Sequence, residues 1–446
     1  MRLLLGSVAG VLFGAGTVGL WLFPAARAHL AAGVPSAAAL TLAAAWLYGG
    51  MYVAALALIH GWLPEPRWLA TAVVWVLLEW VRGLVAGGAP WALLGHSQHD
   101  AAVAQIAELG GVPAVSFLVM LASSALAERG RARRIGLVVA GCLAAGSFAF
   151  GRARLADLPV DGAVPEAVAA ASARPVGGGV PVTVVALSGR HLAPDPVRAY
   201  VEATAAAVGA PAGIVVWPEG ATPGYLDEEP EVRAAIAHAA TGHAGLVTGA
   251  RRYLGAGAAR RYFNSVFAVA PPAGGGFVAD KQRLVPLAER SPWPAVYDLP
   301  QPFSPGSEPL APIALAGLRL GPLVCWDVLF DDLVRDLVRR GADLLLNLSS
   351  DRDLGAGAGQ LVVFARFRAI ETRRTLLRAS GVGRSLVIDP AGRLLERDRV
   401  RLVPGEDRPL TFWVRHGHLA PGVAALALAV ILAAQVRRRR GSGRER

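Results

Sequence analysis

Six stretches of this chain are long and apolar enough to cross a lipid bilayer, and they limit the fold before any other feature does. A spanning helix needs about 20 mostly apolar residues to cover roughly 30 Å of hydrocarbon. Five runs, at residues 3–23, 37–59, 68–85, 113–127 and 135–150, precede residue 151, and a sixth at 419–436 closes the chain. The fourth and fifth are short, so their ends are expected to reach into the flanking loops. At 54% hydrophobic and 17% charged over 446 residues, the chain is too apolar for a purely soluble protein. Residues 180–416 differ: their apolar runs are short and separated by charges and turn residues, which marks a soluble domain large enough for one core.

Lys and Arg in short loops are retained on the cytoplasmic side of a membrane. Arg129, Arg131, Arg133 and Arg134 between spans four and five, and Arg437 to Arg440 after the last, are the strongest clusters. Placing both inside gives two cytoplasmic termini and turns the soluble domain outward, to the periplasm in a bacterium. Much of the net charge of +11 sits in these clusters, so it does not point to nucleic acid. Ala26-Arg27-Ala28 resembles a signal-peptide cleavage site, but the apolar run before it exceeds the usual 7–15 residues or so, which favours an uncleaved anchor.

The expected organisation is five spans over 1–150, an Ala/Gly/Pro-rich linker over 151–179, an extracytoplasmic domain over 180–416, and a closing span with a basic cytoplasmic tail over 417–446. Within the domain, runs at 182–188, 213–217, 245–250, 264–270, 320–325 and 343–349 read as buried strands, with helical patterns around 196–208, 229–240, 330–340 and 361–372. The clearest helix follows Cys325: Phe330, Leu333, Val334, Leu337 and Val338 make one apolar stripe opposite Asp331, Asp332, Arg335, Asp336, Arg339 and Arg340.

The two cysteines, Cys142 in span five and Cys325 in the soluble domain, are not expected to pair. Strand, Cys325, turn, helix is a geometry that lifts a thiol to the carboxyl end of a strand, beside a helix N-terminus that favours a thiolate. A nucleophilic thiol needs a base and a positive group for the oxyanion formed on attack. Glu219 stands just past a strand in "VVWPEGATPG", and Lys281 follows a strand in "VADKQRLVPLAE", with Glu289 eight residues on. Singly each has a plain explanation: a core thiol, a solvated turn, a surface ion pair. The order Glu, Lys, Cys at three strand exits of one domain is far more specific.

The words "WPEGATP" around Glu219, "DKQRLVPLAE" around Lys281 and "LVCWDVLFDD" around Cys325 resemble the nitrilase superfamily of carbon-nitrogen hydrolases, with its Glu-Lys-Cys triad. "WVLLEWVRGLVAGGAPWALLGHSQ" (75–98), "QIAELGGVPAVSFLV" (105–119) and "ARFRAIETRRTLLRASGVGRSLVIDPAGR" (365–393) resemble its membrane branch, the apolipoprotein N-acyltransferases. The resemblance implies a multi-span α-helical membrane domain plus an α/β nitrilase-like α-β-β-α sandwich, in the bacterial inner membrane. It implies acyl transfer in two steps. Glu219 deprotonates Cys325, the thiolate takes an acyl chain from a phospholipid while Lys281 holds the oxyanion, and the thioester passes the chain to the N-terminal amine of a diacylglyceryl-modified apolipoprotein. On the same ground Glu289, Trp326 and Asp327 are expected in supporting places, and Trp217, Pro218 and Arg352 at the substrate. No cofactor is implied.

Three places depart from the family's pattern. Trp326-Asp327 replaces the usual Tyr-Glu, "RDLGAGAGQ" (352–360) replaces a Trp-Phe-Gly word, and "ALSGRHLAP" (186–194) stands where a Gln-x-Asn word is usual. Six spans stand against the family's eight, through an upstream start or a reduced membrane part. Two other enzyme or binding outcomes stay open: a membrane-tethered amidase that sends the thioester to water, and an inactive lipoprotein-binding scaffold.

Among remaining features, Glu79 and Arg82 inside span three are either a structural pair or a headgroup contact. Pro90-Trp91 and His96-Ser97-Gln98 are a lipid entrance or an interfacial anchor. His96, His99, His416 and His418 have no metal-ligand pattern. The "GAGAG" of 355–359 lacks the Lys-Ser/Thr of a phosphate loop and reads as a flexible lid.

Overall fold

In a computed structural model the chain is described over residues 2–442, apart from 30–32, 86–87, 89, 92, 159–178, 188–194, 208–212, 272–274, 287, 292–298, 300, 353, 356, 396–397, 403 and 405–407. It divides into two units that interleave along the sequence: residues 1–157, 354–363 and 411–446 form the first, and 158–353 with 364–410 the second. The 180–416 segment therefore contributes 354–363 and 411–416 to the helical unit.

In the first unit four helices among the described residues are long and apolar enough to cross a membrane: Val34–Trp62, Ala102–Ala127, Gly130–Asp157 and Phe412–Ala434. Leu4–Gly19 and Trp21–Arg27, bent by 60°, make a fifth if taken as one broken span. The short fourth and fifth runs do extend, the latter into 151–157, which had been given to the linker; the rest of the linker lies mostly outside the described residues. The third expected span is the 16-residue helix Arg67–Arg82. At 1.5 Å per residue it is about 24 Å long, short of the hydrocarbon thickness.

Glycine lets backbones meet where apolar side chains gain little from leaving lipid. A Cβ on Gly10 would lie 2.5 Å from Gly50 Cα, and one on Gly14 2.2 Å from the Ala45 carbonyl oxygen. Glu79 and Arg82 are 5% and 1% exposed and pair at 3.7 Å. Glu79 also accepts from the Leu94 N–H at 2.6 Å, and Arg82 donates to the Tyr48 carbonyl at 2.9 Å. They are an internal tie, not a headgroup contact. Trp91 is likewise buried, stacked on Trp21 at 4.9 Å with its indole N–H on Gln360 Oε1 at 2.5 Å. The expected lid at 355–359 is in part helical, since helix Gly357–Thr372 begins there.

The second unit holds two six-stranded sheets. The first has the order β12-β1-β2-β3-β4-β5, built from β1 (Val180–Val184), β2 (Ile214–Val216), β3 (Gly245–Leu254), β4 (Arg261–Ala270), β5 (Gly275–Asp280) and β12 (Arg399–Leu402). The second has the order β11-β10-β9-β8-β7-β6, from β6 (Ile313–Leu315), β7 (Leu318–Val324), β8 (Leu344–Ser349), β9 (Thr375–Ser380), β10 (Leu386–Ile388) and β11 (Leu394–Leu395). β4 packs on β7 and β1 on β9, so the sheets face each other.

Helices Pro196–Ala207 and Pro230–Ala240 cover the first sheet: Tyr200, Ile236, Ala239 and Ala240 join Val215, Trp217 and Leu246 in one core. Helix Asp331–Arg339 packs on β7. This is the α-β-β-α sandwich. All six residues of β8 are buried, as a parallel strand covered on both faces requires. Its register on β9 pairs Asn347 with Arg378 and Ser349 with Ser380.

Candidate active site

Three strand ends deliver the expected residues to one place. β2 ends at Val216, and Trp217-Pro218 carry the chain to Glu219. A Cβ on Gly249 of β3 would lie 2.6 Å from Glu219 Cα, so glycine there is what allows the acid to lie against the sheet. β5 ends at Asp280, whose carboxylate takes the Arg252 guanidinium at 2.8 and 2.6 Å and the Ser265 hydroxyl at 2.7 Å. Lys281 follows, its N–H on the Asn264 carbonyl at 2.8 Å. β7 ends at Val324, and Cys325 opens the 3-10 turn Cys325–Leu329 with φ +46. That left-handed backbone is sparsely populated for a residue with a Cβ and is characteristic of functional turns.

The Lys281 side chain is 1% exposed. Its Nζ lies 2.9 and 2.8 Å from the two oxygens of Glu289 and 3.7 Å from Glu219 Oε1. Asn264 closes the cluster by donating from Nδ2 to Glu219 Oε1 at 2.7 Å and to Glu289 Oε1 at 3.0 Å. Glu219 Oε2 accepts from the Ser350 N–H at 2.9 Å, and Glu289 Oε2 from the Val285 N–H at 2.8 Å.

The charges follow from burial and neighbours. Burial raises the Glu219 carboxyl and Glu289 adds to that, with Lys281 opposing; the net direction is up. Burial pulls the Lys281 ammonium down, but Glu289 and Glu219 outweigh it and hold it above its ordinary range. The Cys325 thiol is pushed up to about 12, by burial first and Glu219 second, with Lys281 opposing. These directions leave the thiol neutral at rest, the Lys281 ammonium charged, and the Glu219 carboxyl more basic than a free one. Such an arrangement can pass a proton between a thiol and a carboxylate without changing its net charge, and it presents a fixed positive charge to any oxygen that gains charge beside it.

Asp327 has a part that its length did not suggest. Its Oδ1 accepts from the N–H groups of Arg283 at 2.8 Å and Gln282 at 3.2 Å, and its Oδ2 from Val324 N–H at 3.1 Å. One carboxylate thereby ties the residue before the thiol to the two after the lysine. Burial raises its carboxyl from 3.8 to about 7, against the pull of Lys281 and the N–H donors. Asp327→Asn keeps one acceptor but turns an amide N–H toward that of Val324. The expected cost is about 2 kcal/mol of stability in a detergent melting curve, with about a 10²-fold loss of catalytic rate as the spacing loosens. The acid titrates higher folded than unfolded, so its linkage stabilises the fold below about pH 4 and fades as pH rises through about 7; the variant removes that slope.

The remaining expected residues flank this cluster or lie outside it. Trp217, placed at the substrate by resemblance, is fully buried against Tyr200 at 5.2 Å with its indole N–H on Thr204 at 3.0 Å; it is a core residue that fixes the chain two positions before Glu219. Pro218 is buried too, and its carbonyl accepts from Gly249 N–H at 3.2 Å. Arg352 is exposed in the turn after β8. Trp326 is 4% exposed within the 3-10 turn. Asn264, Ser349, Asp351 and Arg378 went unnoticed in the sequence. No group of three or more His, Cys, Asp or Glu able to hold a metal occurs among the described residues.

Two family models match the chain: the apolipoprotein N-acyltransferase N-terminal domain over residues 2–125 and the carbon-nitrogen hydrolase over 190–399. Among similar proteins, the apolipoprotein N-acyltransferase of Allorhizobium ampelinum is 32% identical over 77% of this chain and 67% of its own. That of Azotobacter vinelandii is 30% identical over 86% and 76%, and that of Caulobacter vibrioides 31% over 84% and 71%. Among solved structures, a nitrilase-superfamily amidase from Nesterenkonia gives a TM-score of 0.41 at 21% identity, over 55% of this chain and 96% of that one. With helical and sandwich halves both matched, and relatives of this identity spanned over two thirds or more of their length, the chain belongs to the apolipoprotein N-acyltransferase family.

Proposed function

We propose that this protein moves a fatty acyl chain from a phospholipid to the N-terminal amine of the diacylglyceryl-cysteine of apolipoproteins, through a thioester on Cys325. The observation that carries the reading is the buried Lys281 ammonium, held 3.7 Å from Glu219 and in electrostatic contact with Cys325. Glu219 takes the thiol proton as sulfur attacks the ester carbonyl, and the carbonyl oxygen becomes an oxyanion beside Lys281. Collapse breaks the ester C–O bond, and the leaving alkoxide takes the proton back from Glu219. The products are a thioester and a lysophospholipid. In the second half the acceptor amine attacks the thioester, Glu219 removes a proton from that nitrogen, and the expelled sulfur is reprotonated by Glu219.

The triad would act on the extracytoplasmic face of the bacterial inner membrane, as the arginine clusters at 129–134 and 437–440 suggest. Donor and acceptor, both lipid-anchored, would meet an enzyme confined to the same membrane at raised effective concentration.

Purified protein in phospholipid-detergent micelles, given a synthetic diacylglyceryl lipopeptide, is expected to yield lipopeptide heavier by one acyl group, attached at nitrogen. Release of free fatty acid with the amine left unmodified would replace this reading with the hydrolase one.

A further inference from the structure

Cys325 has a neighbour from the second sheet as well as the first. Val324 pairs with Leu348 in the parallel β7–β8 register, so the next residues, Cys325 and Ser349, leave the two strands side by side. The Ser349 hydroxyl donates to Asp351 Oδ1 at 2.5 Å, and its one proton cannot serve the sulfur at the same time. Asp351 is itself held in place: it has φ +57, accepts from Arg378 Nη2 at 2.7 and 2.8 Å, and accepts from the Ser380 hydroxyl at 2.9 Å. Ser349, Arg378 and Ser380 are 0% exposed and Asp351 is 5% exposed. Between Ser349 and Asp351, the Ser350 N–H holds Glu219. One three-residue turn therefore lies beside Cys325 and holds Glu219, and a buried arginine clamps it. Asn347, two residues before Ser349, donates from Nδ2 to the Cys325 carbonyl at 3.2 Å.

We propose that Ser349 is a further catalytic residue: its hydroxyl donates to Asp351 while Cys325 is a thiol and turns to donate to the sulfur as the thiolate forms, with Arg378 holding Asp351 once the serine has left. No bond to a heavy atom changes in this step; the O–H rotates and keeps its proton. Arg378 supplies the reason Asp351 can lose a hydrogen bond, because a carboxylate paired with a guanidinium keeps charge-assisted bonds when the serine departs. The ionisable groups acting on the sulfur are Glu219 and Lys281 from the first sheet and Asp351 from the second, the last paired with Arg378; Asp327, on the same turn as the sulfur, faces Val324, Gln282 and Arg283. Of these, Glu219 and Asp351 disfavour the thiolate and Lys281 favours it. A donor that arrives only on ionisation lowers the barrier without lending the resting thiol a negative charge.

This rests on Cys325 being the nucleophile, but its test needs no lipid. The full chain carrying Cys142→Ala, so that one thiol is read, is alkylated with iodoacetamide in detergent across a pH series. Ser349→Ala is expected to slow alkylation about tenfold at each pH from about 7 to 10, while Ser349→Thr stays within about twofold of the parent. Asp351→Asn is expected to act in the opposite direction and speed alkylation severalfold, because it removes a negative charge and frees the hydroxyl, even where it lowers the melting temperature. Ser349→Ala within twofold of the parent, or Asp351→Asn slowed in parallel with it, would mean a purely architectural network and overturn the proposal. If the alkylation pattern appears but the parent never becomes acylated by phospholipid, the fault lies with the proposed function, not with Ser349.

Discussion

Replacing Cys325 with alanine is expected to lower N-acylation by about 10⁴-fold or more, the scale on which removal of a covalent nucleophile acts. The fold should hardly notice. The thiol is 9% exposed, and alanine suffers no more than cysteine from φ +46. The carbonyl that Asn347 holds and the N–H that Asp327 holds at Val324 both belong to the backbone and survive the change. A melting temperature unchanged to within the equivalent of about 1 kcal/mol, with transfer gone, would separate chemistry from folding. Serine is expected to be nearly as poor, since its hydroxyl is a far weaker acid than a thiol already raised to about 12. Retention of more than one hundredth of the activity in the alanine variant would place the nucleophile elsewhere.

Lys281→Met should damage both chemistry and stability, for one reason. The ammonium sits between two buried carboxylates, 2.8 Å from Glu289 and 3.7 Å from Glu219, and without it they keep only neutral donors, the Asn264 amide and the Ser350 and Val285 N–H groups. Removing one partner of a buried ion pair leaves uncompensated charge and costs about 3–5 kcal/mol. The acids answer by taking up a proton. Lys281 is what opposes burial at Glu219, so without it that carboxyl rises further and holds its proton at neutral pH, where it can no longer act as a base. The oxyanion also loses its countercharge. A loss of about 10³-fold or more in rate is expected, with a lowered melting temperature and residual activity that increases toward alkaline pH as Glu219 is forced to ionise. A rate within tenfold of the parent, or residual activity favouring acid, would contradict these roles.

Glu219, Lys281 and Cys325 were legible because each follows a short apolar run, and an acid, a base and a thiol at strand ends are conspicuous in a chain only 17% charged. Their partners were not. Asn264 lies inside β4, where a polar residue reads as the outward half of an alternation; only the fold brings it between two glutamates. Arg378 lies in "RRTLLRAS", where a charge argues against a buried strand, and β9 was missed as a result. Its burial is tolerable because of Asp351, 27 positions away in sequence. Asp327 looked a methylene short of its usual counterpart, yet it reaches three N–H groups because the 3-10 turn brings it back over Val324.

Trp217, two positions before Glu219, points into the core against Tyr200 and Thr204, because the chain has left β2 at Val216 and no longer alternates regularly there. Hydropathy located the apolar helices of the membrane half but set the fourth and fifth too short, and it does not register what ends a helix by tertiary contact. Arg67–Arg82 closes with a buried ion pair tied to Leu94 and Tyr48, a tertiary arrangement that window-averaged hydropathy does not register.

Intact-mass and peptide mass spectrometry of the full-length protein, after incubation with phospholipid and no acceptor, tests the account at its centre. A hydroxylamine-labile acyl group on the peptide containing Cys325, discharged when a diacylglyceryl lipopeptide is added and matched by acyl gain on that lipopeptide, is the predicted result. Acylated lipopeptide appearing while Cys325 stays unmodified at every time point, or transfer that persists in Cys325→Ala, would contradict it.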